Sequence, residues 1–229
     1  MKERVHFERK RTMKAGYMEV VALNVGKPLT VNYQGKVLET GIHKQPVSSS
    51  LFLSKTNFDG DGQADLVYHG GFDKAVCAYP FEHYVYWNEK YNLSLEYGAF
   101  GENLTTNGMT EDKIHIGDIF QLGEAVVQVS QPRQPCFKVA KKHDIKEFPV
   151  AIQETGFSGY YLRVLEEGHV SPNDKMELIS RHPKGISLSF ANQVMYHDKT
   201  NKEAILQILE VEELAASWRN QFIKYLEKL

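Results

Sequence analysis

The pattern of apolar and polar positions divides the chain in two. Up to about residue 180, short stretches of alternating or β-branched residues are separated by Gly and Pro turns. Tyr17 to Val25 carries β-branched residues and no breaker, and predicts a strand. Leu29 to Val31 and Lys36 to Thr40, joined through Gln34-Gly35, predict a hairpin. Further strands are expected over 48–53, 114–120, 124–130, 159–166 and 175–180. Pro80 to Tyr91 predicts a helix with proline at its first position and Phe81, Tyr84, Val85 and Asn88 on one face. A short helix over 148–154 should stop at Gly156, and 100–109 reads as a loop. Many short strands with few helices predict a mainly β fold, a barrel or a sandwich.

Beyond residue 180 the period changes. His182-Pro183-Lys184-Gly185 reads as a linker, and Ser187 to Tyr196 as a helix. Thr200 and Glu203 have capping-box spacing ahead of Ala204, Ile205, Ile208 and Leu209. Leu214, Trp218, Phe222, Tyr225, Leu226 and Leu229 then form an apolar stripe at helical spacing. Three helices in about 45 residues bury too little surface to stand alone, so they should pack on the β domain or on a partner. The expected organisation is a basic arm over 1–16, a β domain over 17–181 and a three-helix domain over 182–229.

Composition narrows the function classes. With 229 residues and a formal net charge of −2, the chain lacks the overall basic field that recruits nucleic acid or an anionic membrane. Any anionic ligand must meet a local cluster of cations. Two cysteines, with no Cys-x-x-Cys and no zinc-like spacing, suit free thiols in a reducing cytoplasm. No signal-peptide core and no run near the ~20 apolar residues of a membrane span is present, so a cytoplasmic location is expected.

Three stretches carry the chemistry. In Gln131-Pro132-Arg133-Gln134-Pro135-Cys136-Phe137-Lys138, two prolines stiffen a strand-to-helix corner. Cys136 stands there between Arg133 and Lys138, with Lys141 and Lys142 one turn on. Two readings stand side by side: a thiol held as a reactive or metal-binding thiolate at a helix start, and a small buried hydrophobe. In His69-Gly70-Gly71-Phe72-Asp73-Lys74 the paired glycines suit either an anion-binding nest or a tight turn. Phe100-Gly101-Glu102-Asn103-Leu104 supplies backbone access, a carboxylate and an amide, or simply a capped turn. No histidine is tied by spacing to Cys136, and Cys77, in an apolar run, reads as buried and inert. Asp59, Asp61 and Asp65 resemble a calcium loop, but Gln63 and Gly70 fall where ligands are needed, so a solvated loop is expected.

Taken in order, these residues resemble the MOSC family, named for the C-terminal domain of molybdenum cofactor sulfurases, and most of all its bacterial YiiM-type branch. That branch is linked to detoxification of N-hydroxylated base analogues. The matching segments run from His69 through Pro80 with Glu82-His83-Tyr84, then Phe100 to Leu104, Gly117 to Phe120 and Val129 to Lys138. The tail is similar to the three-helix domain that follows MOSC in this branch. The resemblance implies a barrel-like β core that binds molybdenum cofactor, with Cys136 as thiolate ligand to the metal and the catalytic centre. It implies Arg133 and Lys138 as anchors of the anionic cofactor, and His69, Gly70, Gly71, Lys74, Gly101, Glu102 and Asn103 as lining of the same pocket. The implied activity is reduction of small N-hydroxylated compounds to amines. The sequence carries no iron–sulfur, flavin or haem signature, so a separate electron-donor protein is expected. The alternatives are a cofactor carrier or sulfur-transfer module, a metal-free cysteine enzyme with His69 as base, and an interaction protein without cofactor.

Overall fold

The computed structural model describes residues 18–33, 35–65, 70–172 and 174–229. The basic arm over 1–16 and His69 lie outside the described residues.

The chain begins with β1 (Glu19–Val25), the hairpin β2 (Leu29–Tyr33) and β3 (Lys36–Thr40), and the short strands β4 (Gln45–Pro46) and β5 (Leu51–Leu53). A 3-10 turn, Phe72–Lys74, leads into β6 (Val76–Pro80), helix α1 (Glu82–Tyr91) and β7 (Leu104–Asn107). Then come β8 (Ile119–Leu122), β9 (Ala125–Pro132), α2 (Phe137–His143), α3 (Phe148–Thr155), β10 (Tyr160–Glu166), β11 (Gly168–Val170) and β12 (Met176–Ser180). Helices α4 (Leu188–Tyr196), α5 (Lys202–Leu209) and α6 (Ala216–Leu226) complete the chain.

Eight strands form one curled sheet in the order β12-β8-β9-β10-β6-β7-β1-β4. A bridge between Glu19, at the start of β1, and Lys175, just before β12, draws the two sides of the curl together into a half-barrel. The barrel-like β core with peripheral helices and a three-helix C-terminal region is therefore the observed fold.

The central strands are buried on both faces, and this positions the site. On β6, Val76 and Ala78 join the barrel interior with Val127 and Val129 of β9 and Leu162 of β10. Tyr79, on the opposite face of β6, joins a second core with Tyr84 and Trp87 of α1, Phe100, Val139 of α2 and Phe148 of α3. Strands covered on both sides lose the apolar–polar alternation that marks a half-exposed strand. For that reason Ala75 to Tyr79 reads only as an apolar run.

Local readings are corrected at several points. Pro80 ends β6 rather than opening α1: it pairs in register with Thr106, and the next residue, Phe81, donates its N–H to the Thr106 carbonyl at 2.7 Å. Helix α1 accordingly buries His83, Tyr84 and Trp87, while Val85 is 51% exposed. Part of the expected loop over 100–109 is β7, which pairs parallel to β6 and antiparallel to β1. The cap of α5 is Asn201 and not Thr200; its side-chain oxygen accepts from the Ala204 N–H at 3.0 Å.

The three C-terminal helices share the barrel's core. Leu188, Val194, Ile205, Ile208, Trp218 and Phe222 belong to the same buried cluster as the sheet interior. The Ala215 N–H donates to the Ser130 carbonyl at 3.0 Å, and the Ser217 hydroxyl to Gln131 Oε1 at 2.7 Å, so the start of α6 is seated on β9. Only Leu229 of the expected stripe is well exposed, at 57%.

Candidate functional site

The corner around Cys136 is built as its prolines dictate. Strand β9 ends at Pro132, and the Arg133 N–H donates to the Gly159 carbonyl at 2.9 Å, carrying the ladder one residue further. Cys136 is extended (φ −107°, ψ 143°) and occupies the N-cap position of α2, where its carbonyl accepts from the Val139 N–H at 3.0 Å. Its side chain makes no capping hydrogen bond and lines a pocket, leaving the thiol half-buried.

That pocket gathers Lys74, Gly101, Asn103, Arg133, Cys136 and Lys138, which are spread over some 65 positions of sequence. Thr40, Lys44, Asp61, Gln63, Cys77 and Tyr161 are also among its polar lining. Cys77 of β6 and Tyr161 of β10 are directly paired across the sheet, on the face away from the barrel interior, and make the floor. Among the described residues, four lining side chains are cationic (Lys44, Lys74, Arg133, Lys138) and one, Asp61, is anionic. A chain of net negative charge thus concentrates positive charge at one place.

Asp61 is not solvated. Its side chain is only 2% exposed, paired with the Lys44 ammonium, and it accepts from the Gly26 N–H at 3.0 Å and from Asn103 Nδ2 at 2.8 Å. Asn103 also accepts from the Cys77 N–H at 3.1 Å through its side-chain oxygen, and its own N–H donates to the Cys77 carbonyl at 2.7 Å. It therefore ties the Asp61 loop to β6, with its amide committed to the protein.

Gly101 acts through the space it leaves. It has φ +74°, and a Cβ there would stand 2.9 Å from Ile42 Cγ1. Only glycine lets the 98–103 turn lie against the 40–44 segment that forms the pocket wall.

Glu102 does not line the pocket. It is fully buried, accepting from the N–H groups of Gly98 (2.9 Å) and Phe100 (3.0 Å), from Thr105 Oγ1 (2.8 Å) and from the Tyr84 hydroxyl. Gly70 and Gly71 are also absent from the lining, and open space surrounds the position a Gly71 Cβ would take.

Burial governs the titration of the site. It pushes the Cys77 thiol up, against the pull of Arg133, so Cys77 is held as a thiol. It pushes the Tyr161 phenol up as well. For Arg133 burial works against the charge, but the buried Glu102 carboxylate is among the groups that offset it, and the guanidinium is held above its usual range. Burial lowers Lys74, opposed by Asp73 and Asp65. Lys142, one turn along α2, is lowered to about 8 by burial; its ammonium donates to the carbonyls of Ile42 (3.0 Å) and Gly98 (2.7 Å).

The enclosed volume of this pocket is about 80 Å³. Small-molecule sites span roughly 300–1,000 Å³, so a larger ligand would extend beyond the enclosed part. A second cavity, of about 500 Å³, lies on another face beside α1, α3 and α4, and holds none of the Cys136 cluster.

A half-barrel with a cysteine at the β9–α2 corner, followed by three helices on the same core, defines a class. Residues 65–177 match the MOSC domain, and 186–229 match the YiiM-like 3-alpha helix domain. The chain belongs to the MOSC family, in the group that carries this three-helix domain. It is 55% identical over 217 residues to YflK of Bacillus subtilis, which bears the name uncharacterized protein; the match covers 95% of this chain and 98% of that one. It superposes on the crystal structure of YiiM from Geobacillus stearothermophilus with a TM-score of 0.80 and 44% identity, covering 91% of this chain and 99% of that one. A Gibberella moniliformis protein named reductase is 36% identical over 158 residues, which are 66% of this chain and 28% of that protein. Among the described residues no helix is long and apolar enough to cross a membrane.

The polar residues not anticipated as site members include Thr40, Lys44, Asp61, Gln63 and Tyr161, together with Cys77, which had read as inert. Asp61 was signalled by its acidic, glycine-rich loop, although for the wrong chemistry. Tyr161 stands beside its neighbour Tyr160 with no local mark; only the strand pairing turns it to the pocket.

Proposed function

We propose that this protein binds molybdenum cofactor in the Cys136 pocket and reduces small N-hydroxylated compounds, such as hydroxylaminopurines and amidoximes, to amines. The observation that carries the reading is one half-buried thiol opening on a pocket whose other charged groups are predominantly cationic. The donor set fits the group. A pterin dithiolene brings soft sulfur ligands of its own, so its metal asks one further soft ligand of the protein rather than a cluster. Its phosphate is an anion suited to guanidinium and ammonium partners. Bound there, the cofactor would supply the two-electron redox centre that the side chains lack.

The chain's own residues do the rest. Cys136 presents its sulfur from a proline-fixed corner, with little freedom to lose on binding. Arg133 keeps its charge in a buried setting and meets the phosphate or another anionic edge. Lys138 offers a more accessible cation from the first turn of α2, while its ammonium also donates to the Glu39 carbonyl at 3.1 Å. Cys77 and Tyr161, both kept protonated by burial, give the floor a neutral surface that donates hydrogen bonds. Electrons come from a separate donor protein. The relative named reductase supports an oxidoreductase over a passive carrier.

The test is turnover of benzamidoxime and 6-hydroxylaminopurine by protein made in a cofactor-synthesising host, with reduced methyl viologen as donor. Amine formation that disappears in Cys136→Ala is expected. Stoichiometric cofactor with no amine formed from either compound would leave a carrier and remove the reductase.

A further inference from the structure

Among the described strands, β2 and β3 pair only with each other, apart from the eight-stranded sheet. A two-stranded ribbon is marginally stable in water, so what holds this one decides how it behaves. Among the described residues, its apolar members Leu29, Val31, Tyr33, Val37 and Leu38 belong to neither buried core, and Leu29 and Val37 are 51% and 75% exposed. Its base is fixed all the same. The ribbon leaves the barrel at Gly26 and returns at Gly41. A Cβ there would stand 2.3 Å from the His43 carbonyl oxygen and 2.7 Å from the Gly62 carbonyl oxygen, so neither end has room to shift.

The ribbon runs from one part of the Cys136 pocket wall to another. Thr40, Gly41 and Ile42, at its base, line the pocket, as do Cys136 and Lys138 at the start of α2. Lys138 donates its ammonium to the carbonyl of Glu39 on β3 at 3.1 Å. One residue short of a further turn along α2, the Lys141 ammonium lies 4.5 Å from the centre of the Tyr33 ring and 4.7 Å from that of Phe137. It is held between the ribbon and the helix start as a cation on two aromatic faces. Tyr33 pairs with Lys36 at the turn end of the ribbon, so this second contact fastens the tip. Both fastenings are made by groups in reach of water. An element with a fixed base, no core contact and two surface latches sits at the low-stability end of a fold, where lids are found.

We infer that the β2–β3 ribbon is a flap over the mouth of the Cys136 pocket, latched to α2 by Tyr33 on Lys141 and Glu39 on Lys138, which lifts to admit a ligand. Lifting adds room beside an enclosed volume of only about 80 Å³. The flap rests on the reading of this pocket as the ligand site, but not on which ligand is bound or reduced.

The test is the rate of Cys136 modification, followed by mass spectrometry, in full-length protein made in a host that lacks molybdenum cofactor, so that the thiol is free. The reagents are 5,5′-dithiobis(2-nitrobenzoate), a bulky dianion, and the small neutral iodoacetamide. Tyr33→Ala breaks the tip latch without changing charge, and should speed the bulky reagent at least fivefold and iodoacetamide less than twofold. Lys141→Met should do the same. Loss of a cation alone would slow a dianion, so acceleration there reports opening. Amides over 29–40 should exchange hydrogen at least fivefold faster in Tyr33→Ala, with those of β1 and β7 unchanged. An unchanged rate for the bulky reagent in either variant, equal acceleration of both reagents, or unchanged exchange over 29–40 would each overturn the flap. None of these readouts uses cofactor or turnover, so a failed flap is distinguished from a failed cofactor site.

Discussion

Replacing Glu102 separates two roles that a carboxylate beside a cofactor pocket can have. Its oxygens accept from two buried backbone N–H groups, Gly98 and Phe100, and from the hydroxyls of Thr105 and Tyr84. Glu102→Ala leaves both amides without an acceptor. At about 1–3 kcal/mol for each orphaned buried donor, the two amides alone give a loss of about 2–6 kcal/mol. The Thr105 and Tyr84 hydroxyls lose their acceptor as well, which adds to that loss. The alanine also removes the negative charge that supports Lys142 and Arg133. Glu102→Gln keeps the size and one oxygen, and should cost about 1–3 kcal/mol for the single misplaced amide donor. Urea unfolding followed by tryptophan fluorescence measures both, since Trp87 and Trp218 are fully buried in separate cores. A Glu102→Ala protein that unfolds at the wild-type urea concentration and loses only cofactor would refute the structural role and return Glu102 to the pocket.

Other consequences follow from the same geometry. Iodoacetamide on native protein should label Cys136, which is half-buried, and spare Cys77, which is 6% exposed and held protonated by burial; comparable labelling of both by mass spectrometry would contradict the pocket floor. Lys142 has a folded pKa of about 8, below its unfolded value near 10.4, so the unfolded chain holds the extra proton between those limits and stability rises with pH across that window. Lys142→Met should flatten that rise between pH 8 and 10, and an unchanged slope would show that Lys142 is not the group responsible. Trp218→Ala should lose about 3–5 kcal/mol from the shared core, read as an earlier unfolding transition of the β region as well as the helices. Unfolding of the helices alone would show that the two parts are energetically separate. Gly101→Ala, strained by its φ of +74° and by Ile42, should lower the melting temperature while leaving the Cys136 thiol reactive.

The Cys136 corner was legible because its causes are local. Pro132 and Pro135 constrain the backbone around Arg133 and Gln134, and the change from β-branched to Lys-rich residues marks where β9 gives way to α2. The helical tail was legible for the same reason, through its 3.6-residue stripe, although the cap shifted from Thr200 to Asn201. Strands β6 and β7 were not. Val76 to Pro80 is buried on both faces and shows no period of two, while Leu104–Asn107 becomes a strand only by pairing with β6 and β1. The pocket is less local still. Asp61 and Lys44 reach it from loops whose approach depends on backbone contacts, and Tyr161 is aimed by its register against Cys77. Glu102 illustrates the converse: a polar residue in a motif stretch is satisfied by its own turn and faces inward.

The most direct test of the account is molybdenum and pterin content, measured on wild type and Cys136→Ala purified from a host that synthesises the cofactor, with circular dichroism to establish that both are folded. Near-stoichiometric molybdenum in the wild type and its loss from the folded variant are expected. Equal cofactor in both proteins, or none in either, would contradict Cys136 as the metal's anchor.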